Sequence, residues 1–553
     1  MIGAVLALAA LARQDLDAAP QEPKIRLVVM VSVDQMLPEH LERLAPWLEG
    51  GFGRFVRDGR VYPRAFLRHG DTETGPGHTC LGTGMNPTHH GIISNDWFAF
   101  DARDGVYCYS DPDARAVTSN GEQESRASSP RNLRVDGIAD HLEAIDRAAL
   151  TVGISSKDRS AIGMTGRHAD LALWWDKKRG GFQTSTWYAR ELPAWVKASN
   201  ATWMQRLPFA SGWNSELPAD FAASGTAPDE REGEWGKPGQ RSFPHASPKR
   251  GPELSDKELG ALASWVYDSA PGDVMVLELA RDALSALELG RDDVVDLLCV
   301  SLSSCDTVGH AYGPYSVEVT DVLLRADREL GKLFGALDER VGREHWIAAL
   351  SADHGVLELP ETLAAQGYPA ERISGRVIGD TLKAARNAVA QKFGQDFYLT
   401  SNARGVRLSV SAIRAAGLEA SEVRRFYAQA LREQGSAWLE HALTYDELEA
   451  IARRGAAASG LVALEANSFD EERSCDIVLL HRPWCLPGLA VGTTHGTPYA
   501  YDRSVPLAFY GPGVSAGRDF SAAASIDAVP TLLGRAKLGA ALKFDGRDLF
   551  EGH

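Results

Sequence analysis

Three aspartates and three histidines stand where apolar runs end: Asp34, then Asp306 with His310, then Asp353 with His354, then His495. Carboxylate and imidazole are suitable ligands for Zn²⁺, and two clusters of them suggest two ions. Asp306 and His310 are four apart, so one turn of helix or a compact loop can aim both at one ion. Ions about 3.5–4 Å apart can clamp the attacking and leaving oxygens of an in-line phosphoryl displacement. A hydroxyl for such a reaction is offered by Thr79, in Gly75-Pro76-Gly77-His78-Thr79. That run predicts a tight turn entering a helix, where free backbone N–H groups meet an anion. Coordination to zinc would favour the alkoxide of an otherwise weak nucleophile. Lys157 and Arg159 lie two residues apart after another apolar run and suit phosphate oxygens. Singly, each feature has a plainer reading: a helix cap at Asp34, a Gly-rich loop at Thr79, a solvated basic loop at Lys157.

The elements that must position these groups are legible as well. Residues 25–33 form a continuous apolar, β-branched run, as expected of a strand buried on both faces. Further strands are expected at 149–154, 293–302, 345–350, 475–480 and 505–510. Residues 317–341 have the pattern of a long amphipathic helix, and 526–533 that of a closing one. In open α/β sheets the ligand site lies at the carboxyl ends of strands. The expected fold is therefore α/β, a three-layer α/β/α sandwich around a mostly parallel sheet. Two stretches read as inserted cap lobes, about 166–270, rich in Trp, Pro and Gly, and about 363–470.

The chain has 553 residues, enough for a large core, with 44% apolar and 24% charged residues. A net charge of −16 argues against a nucleic-acid-binding surface. Residues 2–12 are apolar but too short to span a bilayer. They resemble a secretory leader, with Ala10-Leu11-Ala12 as a small-x-small site, although no Lys or Arg precedes them. On that reading 1–20 is a leader, 21–553 is the catalytic domain, and the protein is periplasmic or secreted, without stable membrane insertion. The six cysteines include no close C-x-x-C pair, so a cysteine zinc site is not expected.

Taken in order, Val33-Asp34, Gly75-Pro76-Gly77-His78-Thr79, Asn95, Lys157-Asp158-Arg159, Asp306-Thr307-Val308-Gly309-His310, Ala352-Asp353-His354-Gly355 and His495-Gly496 resemble the alkaline phosphatase superfamily, and within it the PafA-like single-chain bacterial enzymes. The resemblance implies an alkaline-phosphatase-like fold and two Zn²⁺ per chain. One ion would be held by Asp306, His310 and His495, the other by Asp34, Asp353 and His354. Thr79 would be the metal-bound nucleophile, and Asn95, Lys157 and Arg159 the ligands of phosphate oxygens. His69, His78, His89, His90 and His481 match no ligand position.

The activity implied is hydrolysis of small-molecule phosphate monoesters through a phospho-threonine, by a monomer. With two ions, the three aspartates and the two cations, the pocket carries a formal charge of about +3, suited to a monoester dianion. A phosphodiesterase or nucleotide pyrophosphatase on the same scaffold is the alternative. Lys157 and Arg159 argue against it, because a diester has one charge fewer and needs room for a second ester group. A sulfatase would need a C/S-x-P-x-R pattern, which is absent. A non-catalytic metal- or phosphate-binding protein is the remaining reading, and turnover of p-nitrophenyl phosphate separates it from an enzyme.

Overall fold

Seven consecutive apolar or small residues make strand β1 (Leu27–Val33), and all seven are buried. A strand covered on both faces needs helices above and below it. The computed structural model has that arrangement; it describes residues 24–551 apart from 208–211, 219–220, 222–227, 238, 240, 455–459 and 540–541. The expected leader lies outside the described residues. Among those described, no helix is long and apolar enough to cross a membrane.

The main sheet has eleven strands. After β1 come β2 (Arg60–Val61), β3 (Ser110–Thr118), β4 (Gly121–Ser128), β5 (Thr151–Ser155), β6 (Leu171–Trp175) and β7 (Phe182–Ser185). The remainder are β8 (Asp296–Leu302), β9 (Trp346–Ser351), β10 (Leu507–Tyr510) and β11 (Gly517–Arg518). Their spatial order is β11-β2-β10-β9-β1-β8-β5-β6-β7-β3-β4. The five strands from β9 to β6 are parallel. On their two sides, β10 and β7 run antiparallel to them, so the sheet is mixed at its flanks. The order matters for the site: β9, β1, β8 and β5 are neighbours and all end at one rim.

Helices cover both faces. Thr74–Thr83 (α1) packs on Asp158–Thr165 (α2) and on Ala528–Arg535; on the other face Pro271–Ala286 and Gly51–Asp58 both pack on Val317–Leu337. Ser304–Tyr312 (α3) follows β8 directly. The three-layer sandwich is thus built as its apolar runs require.

The two stretches read as insertions differ in character. Within 166–270, β6 and β7 belong to the main sheet, because their alternate neighbours are β5 and β3. The other stretch carries a four-stranded antiparallel sheet of Tyr398–Ser401, Gly405–Leu408, Ile477–His481 and Leu439–Thr444, in that order. It has its own core around Val389, Leu408, Tyr427 and Leu431. Ile477–His481 is an inner strand of this sheet, so the lobe continues beyond residue 470.

Candidate metal and phosphate site

The shared rim brings together residues from five distant segments. Asp34 follows β1, Asp306 and His310 lie on α3 after β8, and Asp353 and His354 follow β9. His495 comes from a loop beyond the lobe. Each imidazole is oriented by a backbone carbonyl that accepts a hydrogen bond from Nδ1: Thr493 O for His310 (2.8 Å), Gly355 O for His354 (3.0 Å) and Thr72 O for His495 (2.7 Å). A carbonyl only accepts, so Nδ1 carries a proton and Nε2 is left as the ligand atom. All three Nε2 atoms approach carboxylates. His310 lies 3.1 Å from Asp306 Oδ1 and His495 3.5 Å from the same oxygen; His354 lies 3.2 Å from Asp353 Oδ2 and 3.4 Å from Asp34 Oδ1. The rings of His354 and His495 stack at 3.5 Å.

Three carboxylates share this buried centre, and their titration records the strain. Burial, reinforced by Asp306 and Asp353, pushes the Asp34 carboxyl up to about 7. Burial also opposes ionisation of Asp306 and Asp353, but His310 and Lys157 hold the first well below its usual range, and His354 and His78 the second. The His354 imidazole, despite burial, is carried up to about 9 by Asp353. Burial and the charge on His354 pull His495 down to about 4. Asp34 Oδ1, Asp353 Oδ2 and His354 Nε2 are buried with no hydrogen-bond partner. Converging donor atoms with no proton between them fit a divalent cation, since buried charges must be paired or coordinate a metal. Ligand atoms of Asp306, His354 and His495 lie within 4.8 Å of one another, as do those of Asp34, His78 and Asp353. The six sequence-derived ligands therefore form one continuous cluster, with His354 central to it.

Thr79 departs from the expected turn. Gly75 to Gly77 are helical, and Thr79 lies inside α1 rather than ahead of it. Pro76 is tolerated in a first turn, where its missing N–H is not needed. The helix starts here because Asn95 Oδ1 accepts from Gly75 N at 2.7 Å, and Glu73 Oε2 in turn accepts from Ser94 Oγ and Asn95 N. Gly77 lets the helix lie against the Asp353 backbone; a Cβ there would stand 2.1 Å from Asp353 O. The Thr79 hydroxyl donates to Gly75 O at 2.6 Å and lies 2.7 Å from the Tyr109 hydroxyl.

Lys157 precedes α2 and Arg159 lies in its first turn. The Lys157 ammonium sits 2.5 Å from both Asp34 Oδ2 and Asp306 Oδ2, so here it is shared by two of the candidate metal ligands. Burial works against the charge on both cations; Asp306 and Asp34 keep Lys157 raised, and Tyr107 and Tyr267 do so for Arg159. The buried Nε of Arg159 has no hydrogen-bond partner. Asn95 spends Oδ1 on the helix start, which leaves its amide N–H groups for a ligand.

Several residues of this centre are not legible as motif positions. His78 is fully buried, with Nδ1 3.1 Å from Asp353 Oδ2 and Nε2 2.9 Å from Ser301 Oγ. Gln35, in the left-handed region at φ 69°, donates from N to Asp353 Oδ1 and from Nε2 to Asp306 Oδ1. Tyr109 reaches Thr79 from β-structure that carried no signal. Arg404, in the lobe, pairs with Asp71 (3.0 Å) and Glu465 (2.7 Å) and donates to Gly496 O (3.0 Å), beside His495.

The chain is 32% identical to alkaline phosphatase PafA of Elizabethkingia meningoseptica, over 96% of this chain and 94% of that one. It is 30% identical to alkaline phosphatase PhoV of Synechococcus elongatus, over 92% and 89%. The crystal structure of wild-type PafA superposes with a TM-score of 0.83 at 30% identity, covering 95% of this chain and 98% of that one. Residues 28–485 match the model of the type I phosphodiesterase / nucleotide pyrophosphatase family. With that match, and with fold and sequence shared along nearly the whole chain with PafA, the protein belongs to the type I phosphodiesterase / nucleotide pyrophosphatase family, in its PafA-like alkaline phosphatase branch.

Proposed function

We propose that this phosphoester hydrolase is a zinc-dependent phosphate-monoester hydrolase that works through a phospho-threonine and releases inorganic phosphate. The observation that carries the reading is the buried meeting of Asp34, Asp306 and Asp353 with His310, His354 and His495, in which ligand atoms lack hydrogen-bond partners. Asp306, His310 and His495 would hold one ion, and Asp34, Asp353 and His354 the other. Bound zinc supplies positive charge that stabilises oxyanions of the reacting phosphoryl group.

The chain's own residues then have distinct tasks. Thr79 Oγ1 attacks phosphorus, the ester P–O bond breaks, and the threonine proton is balanced by the one gained by the departing alcohol. Water cleaves the phospho-threonine in the second step, returning the hydroxyl and giving inorganic phosphate. Arg159, with its unpartnered Nε, and the amide of Asn95 hold nonbridging oxygens. Lys157 adds a second cation there once ions replace it as the partner of Asp34 and Asp306. The expected setting is periplasmic or secreted, and the expected state a monomer.

The experiment is hydrolysis of p-nitrophenyl phosphate beside bis-p-nitrophenyl phosphate. Chelation should abolish activity, zinc should restore it, and metal analysis should find two ions per active chain. Thr79→Ala should lose nearly all turnover and still bind phosphate. The family model matched is described by diesterase activity, which makes a phosphodiesterase the second reading. Faster hydrolysis of the diester would establish that one instead.

A further inference from the structure

Trp235 is 56% exposed, yet it is held at two points. Its backbone N donates to Ala311 O at 2.9 Å, and its indole Nε1 donates to Val491 O at 3.2 Å. Both anchors are adjacent to the candidate site: Ala311 follows His310 on α3, and Thr493 N, two residues beyond Val491, donates to His310 O. Gly492 makes room for the ring, since a Cβ there would stand 2.5 Å from Trp235 Nε1 and 2.4 Å from His310 O.

The short segment that carries this ring is built at a cost. Glu234 is fully buried and Arg231 nearly so. The Arg231 guanidinium pairs with Glu234 (3.1 Å) and Glu358 (3.2 Å) and donates to Tyr312 O, while Arg231 N donates to Glu234 Oε2 at 3.0 Å. Burying an ion network desolvates every member, so it is weak as a source of stability and serves to fix geometry. What it fixes is a large apolar ring in water. Among the histidine ligands, His310 is the one with an open side chain, 34% exposed against 6% for His495 and none for His354. Solvent therefore reaches the cluster beside His310, where Trp235 and the 36%-exposed Val491 form an apolar edge.

We infer that Trp235 is a platform for a flat aromatic ring in the alcohol portion of the substrate, a reading that rests on the monoesterase function above. The indole is seated on the backbone around His310, set back from the ligand atoms by that imidazole. A ring bonded directly to the ester oxygen falls short of it; a ring carried on a sugar-sized spacer, as in a nucleoside 5′-monophosphate, spans the gap. Ring stacking adds to simple burial, and the indole is already ordered, so little conformational entropy is lost on binding.

The test compares adenosine 5′-monophosphate with ribose 5-phosphate, which keeps phosphate and spacer and lacks the ring, on the zinc-loaded full chain. Trp235→Ala should lower kcat/KM for the nucleotide about 2- to 12-fold, the equivalent of ~0.5–1.5 kcal/mol at about 1.36 kcal/mol per factor of ten. Hydrolysis of ribose 5-phosphate should stay within about twofold of wild type on the same scale. Trp235→Phe, which keeps a ring, should retain most of the nucleotide preference. Equal losses on both substrates in the Ala variant, or a Phe variant as poor as Ala, overturn the inference alone. A wild-type protein inactive on both substrates overturns the monoesterase reading, and this inference with it.

Discussion

The hydroxyl of Tyr109 lies 2.7 Å from Thr79 Oγ1, inside a fully buried contact. Thr79 donates its own proton to Gly75 O, so Tyr109 is the donor in this pair. A donated hydrogen bond stabilises negative charge developing on the threonine oxygen. Tyr109→Phe removes that donor and little else, since the ring remains. A buried hydrogen bond to a charged group is worth about 1.5–3 kcal/mol, so kcat/KM on a monoester should fall roughly 10- to 100-fold. Thermal stability should change little. An active Phe variant with wild-type kinetics would show that Tyr109 serves packing only.

Gly163 tests the same spot from the other side. A methyl group there would stand 3.1 Å from Thr79 N, from Thr79 Oγ1 and from the Tyr109 hydroxyl. Within a helix, Gly→Ala ordinarily stabilises by roughly 0.5–1 kcal/mol, so the variant should fold. The nucleophile must shift by a few tenths of an ångström, and misplacement on that scale can cost up to about 10²-fold. The expected result is a well-folded Gly163→Ala protein whose kcat falls at least several-fold. Full activity would show that the Thr79 position tolerates slack.

Lys157 neutralises Asp34 and Asp306 in this structure. Lys157→Met therefore leaves two buried carboxylates facing each other. Removing one partner from a buried ion pair costs about 3–5 kcal/mol, and chelated protein should lose stability on that scale. Zinc-loaded protein should lose much less, because bound cations neutralise the same oxygens. Urea denaturation of both forms decides it; equal losses would mean the ammonium is not a stand-in for metal charge.

With Arg159 included, the comparison addresses substrate class. Each charge-assisted hydrogen bond is worth roughly 1.5–3 kcal/mol, so Lys157→Ala/Arg159→Ala should cost about 10²–10⁴ in monoester kcat/KM if the effects add. Diester hydrolysis should drop far less, since a diester offers one fewer nonbridging oxygen. Parallel losses on both would remove the argument for a monoesterase.

His40 should make acid stability fall. It is fully buried, with Nδ1 accepting from Leu37 N and Nε2 donating to Pro314 O. Burial, aided by the charge of Arg43, pulls its imidazole from 6.5 down to about 3. Above pH 6.5 the ring is neutral in folded and unfolded chains, and it contributes no pH dependence. As pH falls from 6.5 towards 3, the unfolded chain binds a proton that the folded one refuses, and stability drops by about 1.4 kcal/mol per unit. His40→Gln should start less stable and lose correspondingly less between pH 6.5 and 4.5. Parallel curves for the two proteins would rule His40 out as an acid-sensitive group.

The parts of this molecule that were legible in its sequence are those set by local pattern. Asp34 and Asp353 announce themselves because an acid at the end of a buried strand is unusual, and the adjacent strands β9, β1 and β8 carry them to one rim. Thr79 was legible as a residue but not in its setting. Gly75-Pro76-Gly77 has turn composition, and only the distant Asn95 side chain and the close pass of Asp353 make it a helix. His78 and Gln35 share the cluster through contacts far apart along the chain, which no spacing rule encodes. β6 and β7 were hidden because their partners, not their composition, assign them to the main sheet.

Arg404 gives the lobe a consequence for anyone who would rearrange this protein. Its guanidinium spans Asp71, Glu465 and the carbonyl of Gly496, so the lobe is wedged under the loop that carries His495. Cutting the lobe away, or grafting one from a relative without this arginine, leaves Asp71 as an uncompensated buried carboxylate at the foot of that loop. The lobe is accordingly a keystone rather than an accessory, and a minimal version of the protein must keep it or redesign Asp71 together with the His495 loop.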